Sequence, residues 1–498
     1  MKPTWKFENN FLRSLLLMVA LGPIYLPSYG QSSKPNVLLI AVDDLRAELG
    51  HFGNTAIITP NLDKLASEGV SFTNHFVQVP TCGASRAAFL TGKRPRRTAE
   101  LGNNIMADEF RKKPEAEIPE TFIHHLRRNG YHTVGIGKIS HSADGYVYGY
   151  EEEVSDQKEL PYSWDELLFD NGKWGTGWNA FFGYADGGNR QSMKKQVKPY
   201  EAGQVDDLGY PDGLTTQLAI KKLRELKKQS QPFFLGIGLF KPHLPFTAPQ
   251  KYWDLYNEDE IPLPANPEKP KHVSNSSLIE SGEFNQYALG EEKAGLDRRL
   301  SEAYAKKIKH AYYAAASYSD AQIGLLLAEL EALKLDQNTI VIVWGDHGWH
   351  LGEQQIWGKH TLYDNALNSV LIFKVPGKNI SKIEDTIVES VDIYPTLMEL
   401  LGIESPVGLD GESFVNVLNG VKGANEQVAY SYYNSGITLR TERYRLTKYF
   451  REAEPVIELY DHQRDPLESV NIAVEYPGIV AELLPLLEKG NSGLYDRK

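Results

Sequence analysis

The chain has 498 residues, 41% of them hydrophobic, and a formal net charge of −12. This acidic balance argues against a nucleic-acid-binding protein and against a protein that binds membranes through a basic face. The length is enough for one large domain and a smaller one, and the single cysteine, Cys82, excludes an intramolecular disulfide. We therefore expect the hydrophobic core alone to stabilise the fold, and no nucleic acid among the partners.

The N-terminal segment is typical of a secretory signal peptide. Basic residues up to Arg13 precede an apolar run from Leu15 to Leu26, and a small residue follows at Gly30. The run is too short to span a bilayer comfortably, and a lipoprotein anchor would need a cysteine directly after it, whereas Cys82 lies far downstream. We predict a signal peptide over residues 1–30 and a soluble periplasmic protein with no membrane anchor.

The rest of the chain alternates short apolar runs with helical patterns, which indicates an α/β fold. In chain order the predicted elements are strand Asn36–Val42, a helix from Pro60 to Gly69, helix Pro119–Asn129, strand Tyr131–Ile136, an insertion from Gly145 to Pro211, helix Thr215–Lys228, strand Phe233–Leu239, helix Glu302–Leu333 and strands Thr339–Trp344 and Val370–Val375. We predict a large domain over residues 32–420 with a mostly parallel central sheet flanked by helices.

A different pattern follows in residues 421–498. It consists of four short strands and a helix, predicted over Gln427–Tyr433, Gly436–Thr441, Tyr444–Tyr449, Val456–Tyr460 and Ile479–Leu487. This pattern predicts a small C-terminal α+β subdomain with a short antiparallel sheet.

Polar side chains follow four strands of the large domain where each strand ends. Ligands of open parallel sheets bind outside the carboxyl ends of the strands, so these residues are candidates for one site. They are Asp43 and Asp44, Lys138 and His141, Lys241 and His243, and Asp346 and His347. The three carboxylates among them would repel one another without a cation, and oxygen ligands favour Ca²⁺ or Mg²⁺. Because histidine is an uncommon calcium ligand, His347 could instead contact the substrate, or the metal could be softer.

Cys82 precedes a predicted helix from Ser85 to Leu90. An anion near it would meet the free N–H groups of the helix N-terminus, which suits sulfate or phosphate. Two other interpretations stay open for the thiol: a small buried hydrophobe, or a nucleophile whose pKa the helix lowers.

The segment CGASRAAFLTG, which begins at Cys82, resembles the sulfatase signature CxPSRxxxLTG, with Ala84 where proline is usual. The chain resembles type I sulfatases of the alkaline phosphatase superfamily over nearly all of its length after residue 30, and iduronate-2-sulfatase and its bacterial relatives in particular. The matching segments include PNVLLIAVDD from Pro35, GK with His141 after it, KPHLPF from Lys241, WGDHGWHLGE from Trp344 with Lys359, and LYDHQRDPLESVN from Leu459.

The resemblance implies that Cys82 is oxidised to formylglycine (3-oxoalanine) by a formylglycine-generating or anaerobic sulfatase-maturating enzyme. One hydroxyl of the hydrated aldehyde would attack sulfur, and the second would later expel sulfate. The implied ligands of a Ca²⁺ ion, with Mg²⁺ as the second choice, are Asp43, Asp44, Cys82, Asp346 and His347.

The resemblance also implies roles for further residues. Arg86 and Lys138 would hold the nucleophile and neutralise charge, and His141 would steer the protons of the hydrate. Lys359 and His243 would bind sulfate oxygens and protonate the leaving group.

The function implied is hydrolysis of a sulfate ester on a sulfated oligosaccharide or polysaccharide. The sugar could be a 2-O-sulfated uronic acid or part of an algal glycan such as ulvan or carrageenan. One alternative is a phosphonate monoester or phosphodiester hydrolase of the same superfamily. The other is a non-catalytic glycan-binding homologue in which Cys82 stays a thiol.

Overall fold

The computed structural model of the protein describes residues 1–5, 34–378, 380–421, 428–450 and 454–495. Most of the predicted signal peptide lies outside the described residues, and so does Gln427, the first residue of a predicted strand. Within the described parts, no helix is both long and apolar enough to cross a membrane.

The predicted strands and helices are present with their ends shifted by a few residues, and further short strands and helices occur in the connections between them. The strands are β1 (Asn36–Val42), β2 (Val70–Phe72), β3 (His75–Phe76), β4 (His132–Gly137), β5 (Glu166–Leu168), β6 (Tyr200–Gly203), β7 (Phe233–Leu239), β8 (Phe246–Pro249), β9 (Thr339–Gly345), β10 (His350–Leu351), β11 (Trp357–Gly358), β12 (Leu371–Lys374), β13 (Lys382–Glu384), β14 (Val388–Glu389), β15 (Ala429–Tyr433), β16 (Gly436–Arg440), β17 (Tyr444–Tyr449) and β18 (Val456–Asp461). The helices are α1 (Pro60–Ser67), α2 (Cys82–Thr91), α3 (Phe122–Arg128), α4 (Gly177–Phe181), α5 (Pro211–Leu226), α6 (Gln250–Trp253), α7 (Gly282–Asn285), α8 (Glu302–Ala332), α9 (Asp364–Leu367), α10 (Ile393–Leu401), α11 (Val415–Leu418) and α12 (Pro477–Lys489).

The large sheet has eight strands in the order β13-β2-β12-β9-β1-β7-β4-β5. Only β12 runs against its neighbours, β9 and β2, so the prediction of a mostly parallel sheet is confirmed. The central strand β1 is buried on both faces, which explains its unbroken apolar sequence. Its alternate residues enter two cores: Leu38 and Ile40 pack on the side of α8, and Val37 and Leu39 pack on the side of α10.

The four strands that carry the candidate residues are consecutive neighbours in this sheet, in the order β9-β1-β7-β4. Val42 at the end of β1 is in register with Gly345 of β9 and with Leu239 of β7. In the same way, Gly137 of β4 is in register with Gly238 of β7. The strands therefore end at one level, and the residues that follow them emerge at one edge of the sheet.

The C-terminal strands β15 to β18 form a separate antiparallel sheet, as predicted. One side of this sheet packs against α12, through Leu439, Leu459 and Leu487. Its first strand is hydrogen-bonded to the large domain, because the backbone N–H of Tyr432 donates to the carbonyl of Gln78. The domain boundary near residue 420 stays a prediction.

A buried histidine next to the large sheet should make the stability depend on pH. His75 lies with Nδ1 3.1 Å from the Ser369 carbonyl and Nε2 2.9 Å from the Ser390 hydroxyl. Burial lowers the pKa of His75 from 6.5 to about 4, although the hydrogen bond to Ser369 opposes the shift. Between these values the unfolded chain binds a proton that the folded protein does not, so the free energy of unfolding falls as the pH falls.

We expect His75 to contribute about 2 kcal/mol to the loss of stability between pH 7 and pH 5. Denaturant unfolding of the wild type and of His75→Gln at both pH values measures this contribution, because the other buried histidines act equally in both proteins. The variant should lose less stability over this interval. An equal loss in both proteins would show that His75 titrates normally in the fold.

Candidate active site

The first acidic pair lies at the end of β1, and both of its carboxylates face the same site. In a regular strand, neighbouring side chains point to opposite faces. Asp44 departs from this rule because its φ of 61° is left-handed, a conformation that aspartate tolerates better than most residues. Its backbone N–H donates to Oδ1 of Asp346, 3.0 Å away, which links the ends of β1 and β9.

Helix α2 brings Cys82 to the same edge of the sheet. Cys82 is the first residue of this helix, and all ten residues of α2 are buried. A Cβ atom at Gly83 would lie 2.0 Å from the carbonyl oxygen of Asn103, so only glycine fits there. Arg86 lies one helical turn after Cys82 and therefore on the same face. The predicted helix start at Ser85 was three residues too late.

Cationic side chains surround the carboxylates. The Arg86 guanidinium lies 2.9 Å from Oδ2 of Asp346 and 3.6 Å from Oδ1 of Asp43. The ammonium group of Lys138 donates to the other oxygen of Asp43. Although burial raises the pKa of Asp43, the charges of Lys138, His243 and Arg86 bring it well below its usual value. Asp43 is therefore ionised across the physiological range.

The acidic cluster fits a divalent cation. Asp43, Cys82, Asp346 and His347 each offer one donor atom, and these atoms lie within 4.8 Å of one another. Oδ1 of Asp43 and Oδ2 of Asp44 are buried and have no hydrogen-bond partner in the described part of the chain. Buried carboxylate oxygens without a partner are costly, and a cation in this cluster would satisfy that of Asp43. Asp44 groups instead with Cys82 and His243 as a possible ligand.

The thiol of Cys82 is a poor candidate for a thiolate. Its Sγ lies 3.3 Å from Nε2 of His347 and 3.3 Å from Nζ of Lys359. Burial, followed by the charge of Asp43, nevertheless raises the pKa of Cys82 to about 12. A raised pKa does not favour the hypothesis of a thiolate nucleophile at this position. The charged surroundings also differ from the apolar ones that suit a merely space-filling cysteine.

Cys82 lies in a cleft of about 400 Å³, and all the catalytic candidates except Arg86 line this cleft with it. Arg86 is completely buried beneath it. The lining candidates are Lys138, His141, His243 and Lys359. One wall is aromatic, with Tyr150, Trp178, Phe181 and Phe182 among its members. Three tryptophans of the insertion differ in position: Trp164 and Trp174 are core residues, whereas Trp178 lines the cleft.

His243 is held between two acceptors after the end of β7. Its Nδ1 lies 2.6 Å from the carbonyl oxygen of Leu244, and its Nε2 lies 3.0 Å from Oε1 of Glu283. Lys241 does not reach the cleft; its ammonium group donates instead to the carbonyls of His243 and Pro245. Lys241 therefore fixes the loop that presents His243.

Glu283 is a site residue that the sequence analysis misses. It lies in the cleft, and its Oε2 is 3.6 Å from Nζ of Lys359, so it touches both residues predicted to meet the leaving group. Although burial raises the pKa of Glu283, Lys359 and His243 lower it well below its usual value. It belongs to the four-residue helix α7, between α6 and α8. Neither a strand end nor a sequence motif indicates a functional residue at this position.

We expect Glu283→Gln to lower kcat for sulfate release about 10- to 100-fold, because an amide has no negative charge to offset that of Lys359 and holds the His243 ring less firmly. Glu280→Gln is the matched control, since Glu280 lines the same cleft but its carboxylate accepts only from the backbone N–H of Leu296 among the described residues. The control should stay within about twofold of the wild type. Equal effects of the two substitutions would refute a specific role for Glu283.

The sequence matches two family profiles and several known proteins. The profile of the Sulfatase family matches residues 35–403, and the profile described as N-sulphoglucosamine sulphohydrolase, C-terminal, matches residues 352–490. A sulfatase of Formosa agariphila is 31% identical over 476 residues, which cover 92% of this chain and 87% of the relative. The iduronate 2-sulfatase of Homo sapiens is 32% identical over 412 residues, covering 74% of this chain and 70% of the relative.

Solved structures share the fold. A protein in complex with its substrate D-glucosamine-2-N,6-O-disulfate superimposes with a TM-score of 0.70, at 22% identity and over 92% of this chain and 98% of that chain. The phosphonate monoester hydrolase of Agrobacterium radiobacter superimposes with a TM-score of 0.72, at 22% identity and over 92% of this chain and 96% of that chain. At these identities the likeness concerns the fold alone.

Proposed function

Because the chain belongs to the Sulfatase family and is a sulfuric ester hydrolase, we propose that it removes sulfate from a sulfated carbohydrate through a formylglycine formed at Cys82. The observation that carries this proposal is the position of Cys82 on the cleft, beside a carboxylate cluster that fits a cation and 3.3 Å from Nζ of Lys359. The predicted family resemblance is confirmed. Since the protein is an enzyme, the alternative of a non-catalytic binding homologue does not apply.

Two groups would complete the site. Formylglycine at position 82 would supply an aldehyde hydrate with two hydroxyls, one for attack on sulfur and one for release of sulfate. A divalent cation held by Asp43, Asp44, Asp346 and His347, with Ca²⁺ as the expected ion, would supply positive charge for the sulfate and for the attacking oxygen. The unpaired carboxylate oxygens fit the cation, and the side chains of His347 and Lys359 beside Sγ fit a polar group at position 82.

The protein's own cations prepare the site for an anionic substrate. Arg86 and Lys138 offset the negative charge of Asp43 and Asp346, so that a sulfate group can approach without repulsion. Lys359 lies 3.3 Å from Sγ of Cys82, within reach of an oxygen on a group bound there. In this account Lys359 donates to a sulfate oxygen.

Two histidines are suited to proton transfer. His141 is buried, and burial together with the Lys138 charge lowers its pKa well below the usual value, so it is neutral at neutral pH. Its Nδ1 has no hydrogen-bond partner among the described residues and can accept a proton from a hydroxyl at position 82. His243 lines the cleft and is proposed to donate a proton to the departing sugar oxygen. Burial lowers its pKa to about 4, which makes its protonated form a strong acid.

A carbohydrate substrate is supported by the cleft and by the relatives. The aromatic wall with Trp178 and Phe182 offers apolar surface on which a sugar ring can pack. Among the relatives, iduronate 2-sulfatase and an ulvan-active sulfatase are named for sulfated glycans. We propose a 2-O-sulfated uronic acid or an algal glycan fragment as the substrate class.

A phosphonate monoester or phosphodiester hydrolase, the alternative within the same superfamily, is the second candidate. Turnover of 4-nitrophenyl sulfate, a sulfated disaccharide panel, a phosphonate monoester and a phosphodiester by the same preparation separates the two candidates. We expect kcat/KM to be highest for a sulfated sugar. A higher kcat/KM for the phosphonate monoester or the phosphodiester than for every sulfate ester would contradict the proposed function.

We also propose that the protein is exported to the periplasm after cleavage near residue 30 and that a maturation enzyme converts Cys82. The N-terminal pattern up to Gly30 and the signature around Cys82 support these two steps. Fractionation of cells that produce the full chain, followed by N-terminal sequencing of the periplasmic protein, tests the export. Retention of an uncleaved chain in the cytoplasm would contradict it.

A further inference from the structure

Arg190 stands out among the buried arginines of the protein. Five arginine side chains are buried in the described chain, and four of them lie within 4.0 Å of a carboxylate oxygen: Arg46, Arg86, Arg440 and Arg445. Arg190 is only 5% exposed and has no carboxylate at this distance in the described residues. Its Nε is buried without a hydrogen-bond partner there. Burying a cation without an anionic partner lowers the stability of the fold, which points to a role for Arg190 other than a structural one.

The position of Arg190 connects it with the active-site cleft. Arg190 lines the cleft together with Cys82 and His243. Its guanidinium carbon lies 3.5 Å from the centroid of the Phe182 ring, and the same ring is 6.4 Å from His243. A single aromatic side chain therefore separates this guanidinium, which has no carboxylate partner in the described residues, from His243.

The carboxylates of the cleft do not neutralise Arg190. Glu283 is committed to His243 and Lys359, and Glu280 accepts a backbone hydrogen bond from Leu296. The positive charge of Arg190 nevertheless acts on a neighbouring residue of the cleft wall, Tyr150. Burial raises the pKa of the Tyr150 hydroxyl, and the positive charges of Arg190 and Lys138 oppose that rise.

The backbone around Arg190 is held firmly. The N–H of Arg190 donates to the carbonyl of Phe182, 3.2 Å away, and its carbonyl accepts from the N–H of Lys195 at 2.8 Å. Stacking on Phe182 restricts the side chain as well. The guanidinium is therefore ordered before a ligand arrives, which lowers the entropic cost of binding one.

We infer that Arg190 forms a second anion subsite in the cleft, which binds a carboxylate or an additional sulfate carried by the sugar that bears the scissile sulfate ester; this inference rests on the proposed function. The planar guanidinium matches the geometry of both oxyanions. Arg190 would thus select substrates with two anionic groups, one for the reacting centre and one for itself.

The test compares Arg190→Met with the wild type on matched substrates. The methionine side chain keeps an unbranched stem against Phe182 but has no charge. Arg190→Lys restores a positive charge but not the planar guanidinium that can donate two parallel hydrogen bonds. The substrates are a sulfated hexuronate, its carboxyl-reduced analogue, a disulfated hexosamine and 4-nitrophenyl sulfate. Lys173→Met is the control, because Lys173 also lies over an aromatic ring of the insertion, 4.9 Å from the Trp174 centroid, but does not line the cleft.

We expect Arg190→Met to lower kcat/KM about 10- to 100-fold for the substrates with a second anion and by less than about twofold for the others. Arg190→Lys should recover part of the loss, and Lys173→Met should match the wild type on every substrate. A loss confined to the hexuronate assigns the subsite to a carboxylate, and a loss confined to the hexosamine assigns it to sulfate.

An equal loss on all four substrates, or none on any, would overturn the inference while leaving the proposed function intact. If the wild type released sulfate from none of them, the proposed function would fail and the subsite would fail with it.

Discussion

Replacing Cys82 by alanine should lower kcat for sulfate release at least about a thousandfold, since the variant has no group at position 82 that can become the nucleophile. The side chain is buried at the first position of α2, and in the described part of the chain its Sγ contacts only the side chains of His347 and Lys359, so the loss of one sulfur atom should leave the fold intact. Initial rates of sulfate release and thermal unfolding curves of both proteins measure these two effects.

Cys82→Ser is the matched control for this experiment. Serine keeps the size of the side chain and a single hydroxyl, which can attack sulfur but has no second hydroxyl with which to release sulfate. We expect this variant to be trapped after one turnover or to be inactive, with an unfolding temperature close to that of the wild type. Sustained turnover by the alanine variant would contradict a role for position 82 in the chemistry.

Asp346→Asn should remove the cation and lower kcat/KM by at least about a hundredfold, because even residues that only support metal ligands change affinity or activity 10- to 100-fold. Asp346 is completely buried and is hydrogen-bonded both to α2 and to the end of β1. Its Oδ2 accepts from Arg86 at 3.0 Å, and its Oδ1 accepts from the N–H of Asp44 at 3.0 Å. Metal content per protein after dialysis, together with the rate of sulfate release, measures the effect.

A second group of possible ligands supplies the control for Asp346→Asn. Asp364, His462 and Glu468 also lie close enough together for a metal ion, but Arg445 contacts both of these carboxylates. Because an arginine already neutralises them, no cation is needed there. We expect Asp364→Asn to leave the metal content unchanged. Equal metal loss in the two variants would show that the cluster at Asp346 is not the cation site.

Much of the fold and of the site can be predicted because strand ends are visible in the sequence. Continuous apolar runs such as Asn36–Val42 indicate strands buried on both faces. The rule that ligands bind at the carboxyl ends of parallel strands then brings Asp43 and Asp346 together, although they are 303 positions apart in the numbering. The structure places them in contact with Arg86, as this rule requires.

The rest of the site could not be predicted, because it depends on irregular segments. Glu283 lies in the four-residue helix α7, and Arg190 lies in the connection between α4 and β6. Neither segment has a periodic apolar pattern or a motif, and only the folded chain shows which of their neighbours share the cleft. Lys241 is a similar case. It follows a strand end as His243 does, but its ammonium group donates to backbone carbonyls and does not line the cleft. Periodicity locates a loop at the end of a strand without specifying which of its side chains faces the ligand.

The most direct test of this account measures, on one preparation, the state of residue 82 and the release of sulfate from sulfated disaccharides. Mass spectrometry of the peptide that contains Cys82 should show an aldehyde, in which oxygen replaces sulfur and two hydrogens are lost. Across preparations with different degrees of conversion, the rate of sulfate release should rise in proportion to the converted fraction. Full activity in a preparation whose Cys82 is entirely an unmodified thiol would contradict the account.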